Sequence, residues 1–230
     1  MRATEKRIAF FDVDGTLTTS STMFHFLRFY LREIGRPDGE YAERRRAVRT
    51  TAERGTAREE VNRAFFAGLA GFEVAAVEEA AQRWYHAAQR VGGFYHQPVL
   101  DRLRGHQRRG DRVVLVSGAV PACLRVLAEA LGVDEIHSTE LEIERGRYTG
   151  ALIRPPMIGI AKLLAVLDVM ARCGTASSAC YAYGDHISDL PMLQAVGSPA
   201  VVRGDAALEA AGRAGGWRLL LPPIATKENA

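Results

Sequence analysis

Lysine is scarce in this chain. Of the 30 basic residues only Lys6, Lys162 and Lys227 are lysines, which leaves 27 arginines. Most of the arginines alternate with glutamates, as on solvated helix faces. No aromatic–basic groove pattern accompanies them, so a net charge of +3 does not point to a nucleic-acid partner. Cysteine is rare too. Cys123, Cys173 and Cys180 cannot build a disulfide framework and show no metal-ligand spacing, which excludes stapled secreted scaffolds and fits a reducing cytoplasm. No apolar run approaches the ~18 residues of a membrane span. The start, Met1 to Arg7, is charged and lacks an apolar leader with small residues behind it, so neither a membrane partner nor a signal peptide is expected. No internal repeat is visible.

What is present reads as a globular α/β chain. Its 230 residues, 47% hydrophobic and 25% charged, suffice for one domain with an insert or for two small domains, and exclude disordered and fibrous classes. A short apolar strand is predicted at 8–11. From 21 to 90 no strand signal appears. Helices are predicted at 23–31, with an aromatic face, and at 40–54, 57–70 and 74–90, which are rich in Ala, Glu and Arg. Gly35-Arg36-Pro37, Gly55 and Gly71 punctuate them. Beyond them the pattern alternates. Helices are expected at 98–109, 121–131, 160–171 and 189–196, and strands at 113–116, 136–139, 180–183, 200–202 and 217–221. A hairpin is expected at 141–152 around Glu144-Arg145-Gly146, and a loose tail at 225–230. Strand–helix alternation implies a parallel sheet with helices on both faces.

Chemistry concentrates where these elements end. Phe10-Phe11-Asp12-Val13-Asp14-Gly15-Thr16-Leu17 runs an apolar strand into two carboxylates two residues apart, on one side of an extended backbone. Strand carboxyl ends form the ligand crevice of open α/β sheets. Two neighbouring carboxylates repel, so a cation is their natural guest; the alternative is a turn in which Asp serves as a local acceptor. Gly15 and Thr16 would allow a sharp exit with free backbone N–H groups. A second strand ends in Ser117-Gly118 just ahead of a helix opened by Pro121, which offers N–H groups to an anion or is an ordinary strand-to-helix turn. Lys162 falls in the first turn of an apolar helix, where a cation is slightly unfavourable. Against an arginine-dominated surface, it suggests a phosphate or carboxylate partner rather than a snorkelling side chain. A third strand ends in Gly184-Asp185, with Asp189 four residues on. Asp185 suits a metal ligand, whereas Asp189 could orient the metal's water or the lysine, or cap the following helix. His186 reads as a loop residue near the site, because Mg2+ prefers oxygen.

Taken in order, these stretches resemble the haloacid dehalogenase-like phosphohydrolase superfamily. Within it they are similar to the branch that includes phosphoserine phosphatases, down to the hairpin before the lysine helix. The resemblance implies an α/β fold: a three-layer Rossmann-like core with a parallel sheet, from 1–20 and 91–230, plus an all-helical cap, 21–90, inserted after the first strand. It implies Asp12 as nucleophile, Asp14 as acid and base, and Ser117, the Gly118 N–H, Thr16 and Lys162 on the phosphate. It implies Mg2+ held by Asp12, Asp14 through its main-chain carbonyl, Asp185 and, in support, Asp189. The substrate would be a small phosphorylated metabolite. Two departures stand out. Thr18-Thr19-Ser20-Ser21-Thr22 has no acid where phosphoserine phosphatases carry one for the substrate ammonium, and His186 and Ser188 replace the common glycine and asparagine. Cap residues expected to select the substrate are Met23, Phe24, His25 and arginines from 44–63. The alternatives are a phosphotransferase or mutase using the same aspartyl-phosphate, a phosphoserine phosphatase proper, and a non-catalytic binding module.

Overall fold

The structure, a computed structural model, describes residues 7–220; the expected loose tail at 225–230, and Leu221 of the last predicted strand, lie outside the described residues. Among the described residues the first element is β1 (Ile8–Phe11). Four helices follow it: α1 (Thr22–Glu33), α2 (Asp38–Glu53), α3 (Arg58–Ala67) and α4 (Val74–Val91). Then come α5 (Gln97–Arg108), β2 (Arg112–Ser117), α6 (Pro121–Leu131), β3 (Glu135–Ser138) and the hairpin of β4 (Leu141–Glu144) and β5 (Arg147–Leu152). The chain continues through α7 (Ile160–Cys173), β6 (Cys180–Gly184), α8 (Leu190–Gln194), β7 (Ser198–Val202), α9 (Ala206–Ala214) and β8 (Arg218–Leu220).

Among the described residues six strands form one sheet in the order β3-β2-β1-β6-β7-β8, with every pairing parallel. The first strand in sequence is therefore central, with Phe11 opposite both Leu115 and Tyr183. Strand periodicity divides the sheet's side chains between two cores. Ala9, Phe11, Val113, Leu115 and Tyr183 face Val99 and Leu103 of α5 and Leu124 of α6. Ile8, Phe10, Val114, Val116 and Ala182 face Val166 and Val169 of α7, Leu193 of α8 and Leu208 of α9. Because both faces are covered, the inner strands are mostly apolar, whereas the edge strand β3 is polar and half-buried. The first strand is wholly buried, and each of its large side chains contributes roughly 1.5–3 kcal/mol of transfer free energy.

The four helices after β1 share a third core. Phe26, Tyr30, Phe66, Leu69, Val77 and Trp84 pack there together with Cys123, Val126 and Leu127 of α6. That last helix is thus bifacial, holding the sheet on one side and the helical insert on the other. The hairpin fixes the insert from the far side: Tyr148 N–H donates to the Phe72 carbonyl at 3.0 Å, and Gly71 N–H donates to the Tyr148 carbonyl at 2.8 Å. Where the sequence reading placed no element, α9 forms. Asp205 caps it by accepting from the N–H groups of Ala207 and Leu208 at 2.8 and 3.0 Å, and Gly212 lets it lie against Val201. No helix among the described residues is long and apolar enough to cross a membrane.

Candidate active site

The carboxyl end of the central strand continues its ladder for one residue, as the Asp12 N–H donates to the Tyr183 carbonyl at 3.0 Å. The chain then turns sharply. The Val13 carbonyl accepts from the N–H groups of Thr16, Leu17 and Thr18 at 3.2, 2.9 and 2.9 Å, and Gly15 N–H donates to the Thr18 carbonyl at 3.1 Å. The N–H groups of Gly15 and Thr16 are therefore spent inside the turn and are not free for an anion. Thr16 is fully buried, and its hydroxyl donates to Asp185 Oδ1 at 2.8 Å. It orients a carboxylate instead of facing a ligand. Gly15 has φ +85°, and a Cβ there would lie 2.3 Å from Asp185 Oδ2, so only glycine fits.

Lys162, 4% exposed, explains its own rarity. Its Nζ donates to Asp12 Oδ1 at 2.6 Å and to Asp189 Oδ1 at 2.7 Å. Burial works against its charge, but Asp12 and Asp189 outweigh it and hold the ammonium above its ordinary pKa. Asp189 does not cap the following helix, whose N–H groups it leaves alone; its Oδ2 accepts from the N–H groups of Asp185 and His186 at 3.2 and 3.3 Å. Carboxylate oxygens of Asp12, Asp185 and Asp189 lie within 4.8 Å of one another. Burial, then the charges of Asp12 and Asp189, push Asp185 up to about 8. Asp189 is raised too, by burial first, with Lys162 opposing. Three carboxylates against one ammonium leave an excess of negative charge made wholly of oxygen donors, which suits a hard divalent ion such as Mg2+.

Asp14 points to different partners. Its Oδ1 accepts from Thr22 N–H at 2.9 Å and from the Thr22 hydroxyl at 2.6 Å, and its Oδ2 from the Ser21 hydroxyl at 3.0 Å. Burial raises its pKa against those hydrogen bonds. The same Ser-Thr stretch that lacks an acid for an ammonium therefore positions this carboxyl.

Across the crevice, Ser117 is buried at the end of β2, and its Oγ accepts from Ala119 N–H at 3.3 Å. The Gly118 carbonyl accepts from Asn62 Nδ2 of α3 at 3.0 Å, and a Cβ at Gly118 would press on Ile158 at 3.1 Å. Asn62 was not among the expected residues. Nothing local marks it, because the contact joins positions 56 residues apart.

These groups open on one cavity of about 670 Å³, lined by Asp12, Asp14, Ser117, Gly118, Lys162 and Asp189 and roofed by the helical insert. Of the expected selectors, Met23, Phe24 and Arg58 line it, whereas His25 packs edge-on against Trp84 and Arg44 is bound to Glu40 and the Gly68 carbonyl. His186 lines it as a loop residue, its Nδ1 accepting from Ser188 N–H at 3.0 Å. A larger cleft, about 940 Å³, opens near the amino ends of the strands among Arg7, Arg102, Arg109 and Arg218, but it holds none of the clustered carboxylates. Chemistry rather than size selects the site.

Comparison with known proteins bears on the family and the fold. The model of the haloacid dehalogenase-like hydrolases matches residues 9–194. A probable phosphatase of Mycobacterium tuberculosis is 33% identical over 151 residues, covering 66% of this chain and 52% of that protein. The chain thus spans about half the length of the curated relatives it matches first. A Bordetella pertussis protein of unknown function superposes with a TM-score of 0.81 at 25% identity, over 94% of this chain and 99% of that one. A substrate-bound phosphoserine phosphatase superposes with a TM-score of 0.68 at 20% identity, over 90% and 91%, and shares the fold.

Proposed function

Because the chain belongs to the haloacid dehalogenase-like hydrolases, we propose that it is a Mg2+-dependent phosphatase that hydrolyses a phosphate monoester of a small metabolite through an aspartyl-phosphate. One observation carries this reading: buried Lys162 joins Asp12 and Asp189 at the end of the central strand, across one cavity from Ser117 and Gly118. An oxygen of the Asp12 carboxylate attacks phosphorus, and the bond from phosphorus to the ester oxygen breaks. Asp14, which burial inclines to hold a proton, gives it to the departing alcohol. In the second half Asp14 takes a proton from water, the water oxygen bonds to phosphorus, and the Asp12 carboxylate is released. Lys162 offsets negative charge on Asp12 and on the transferring group, and the Ser117 hydroxyl and Gly118 N–H hold its oxygens. Asp12 and Asp185 would hold Mg2+, with the Asp14 carbonyl and Asp189 in support. When bound, the ion offsets the repulsion between an anionic nucleophile and an anionic phosphate.

The helices from 21 to 90 act as the cap. Asn62 ties them to the Gly118 loop, so closure excludes water while the ester is cleaved. Three free cysteines are consistent with a cytoplasmic setting. Purified protein should release inorganic phosphate from p-nitrophenyl phosphate in Mg2+, and Asp12→Asn should lower turnover by at least ~10⁴-fold. Full activity in that variant would remove the nucleophile, while phosphate found on an added alcohol instead of in water would make the same residues a phosphotransferase.

A further inference from the structure

We propose that the ester hydrolysed here carries an apolar body and no ammonium group; this rests on the phosphatase reading above and names its substrate class. The part of the cavity beyond the catalytic groups has an apolar wall: Met23 and Phe24 from α1, Val48 from α2, Val61 and Phe65 from α3, and Ile158. Phe24 stands edge-on to Phe65 with ring centres 5.4 Å apart, so the wall is packed rather than loose. Its volume lies in the range that holds ligands of drug size (~300–1,000 Å³), larger than a phosphorylated amino acid needs.

Charge excludes the ammonium. The acids that line the cavity are Asp12, Asp14 and Asp189. Asp12 and Asp189 accept from Lys162, and Asp14 has both oxygens taken by Ser21 and Thr22. A substrate ammonium entering beyond them would be desolvated against methyl and phenyl groups with no carboxylate to pair with, a heavy cost. Among the described residues the charge on that outer part is cationic: Arg58, exposed at the cavity's edge, lines it without a hydrogen-bond or ion-pair partner and adds to burial in lowering the pKa of His186. Its field repels an ammonium further. Ser20 also lines the cavity, half-buried. It is the position from which an acid could serve such a group.

A matched ester series tests this. In Mg2+, kcat/KM is measured for ethyl, butyl and hexyl phosphate and for 3-aminopropyl phosphate, which matches butyl phosphate in size but ends in ammonium. We expect a rise of at least about tenfold from ethyl to hexyl, and at least about tenfold in favour of butyl over 3-aminopropyl phosphate. Ser20→Glu should shrink the second ratio, and Phe24→Ala should flatten the first. If Phe24→Ala does not fold, the nearly isosteric Val61→Thr tests the same wall. A flat chain-length profile, or equal or better hydrolysis of the aminoalkyl ester, overturns the proposal while leaving a phosphatase. Failure to hydrolyse any ester, p-nitrophenyl phosphate included, overturns the underlying reading and the proposal with it.

Discussion

Two clusters of buried charge sit at opposite ends of the same strands. At the carboxyl rim, Asp12, Asp185 and Asp189 cluster with one lysine, Lys162, which pairs with Asp12 and Asp189 only, and Asp185 and Asp189 are raised above their ordinary pKa. At the amino rim, Asp111 is also nearly inaccessible, but it is met by Arg7 at 2.8 Å and Arg109 at 2.9 Å, and its pKa is lowered. His106 completes that cluster. Its Nδ1 lies 2.8 Å from Asp111 Oδ2 and 2.6 Å from Arg109 Nη2, and its Nε2 lies 2.8 Å from the Tyr183 hydroxyl. Burial pushes that hydroxyl up to about 12, so it stays a donor. The buried acid at the amino rim is answered by two arginines, whereas the carboxyl rim is left over-acidic. A folded chain tolerates such an imbalance where a ligand is to correct it, and the contrast separates a site for chemistry from a brace.

Removing the cation should separate the two most sharply. Lys162→Met leaves three neighbouring carboxylates unopposed, so turnover should fall by roughly 10²–10³-fold, and the midpoint of thermal unfolding should drop in metal-free buffer. Added Mg2+ should restore much of that midpoint but little of the turnover. At the amino rim the expected pattern is reversed. Asp111→Asn strips the partner from Arg7, Arg109 and His106 and should cost about 3 kcal/mol in urea unfolding, with kcat in the folded protein near that of wild type. A smaller effect comes from the ion itself. Mg2+ should raise the unfolding midpoint of the wild-type protein, and chelation should reverse the rise, because a ligand bound only by the folded state stabilises it by mass action. Asp185→Asn should blunt that response and Asp111→Asn should not; equal responses would erase the distinction.

The carboxyl rim was largely legible in the sequence, and the amino rim was not. Asp12, Asp185 and the Ser117-Gly118 turn are marked by apolar strands that stop at polar residues, a local signal that topology turns into proximity. Lys162 was marked by composition, one of three lysines among 30 basic residues. The sheet, the helical insert and the hairpin followed from periodicity and glycine punctuation. What escaped depends on tertiary contact. Gly15 and Thr16 looked like anion donors, but the Val13 carbonyl and the Thr18 carbonyl take their N–H groups. The Ser21-Thr22 pair was notable for lacking an acid, yet its work is to hold Asp14. Asn62 reaches Gly118 across the cavity, and His106 meets Tyr183 across 77 residues. The α9 helix was hidden because an Ala- and Gly-rich stretch carries only Leu208 as a fully buried apolar anchor.

The finest division between the two clusters is in their response to mild acid. Burial, followed by the nearby Arg109 charge, holds His106 below its ordinary pKa of 6.5, with the Asp111 hydrogen bond opposing. A histidine whose folded pKa lies below its unfolded value binds its proton less well when folded. Stability is then full above pH 6.5 and declines as the pH falls from there toward the folded pKa. Asp111 has the same sign lower on the scale, since its lowered pKa contributes stability above 3.8 that is lost on further acidification. His96 and His186 are lowered by burial as well, so His106 accounts for part of the slope rather than all of it. The raised carboxyls of the other rim, Asp14, Asp185 and Asp189, act with the opposite sign over this range, so the test is a difference: between pH 7 and pH 5.5 the unfolding midpoint of the wild-type protein should fall by a few degrees relative to that of His106→Gln. An identical slope in the variant would mean that the amino-rim histidine gains and loses its proton without strain, and the claim that this cluster holds its imidazole uncharged would fail.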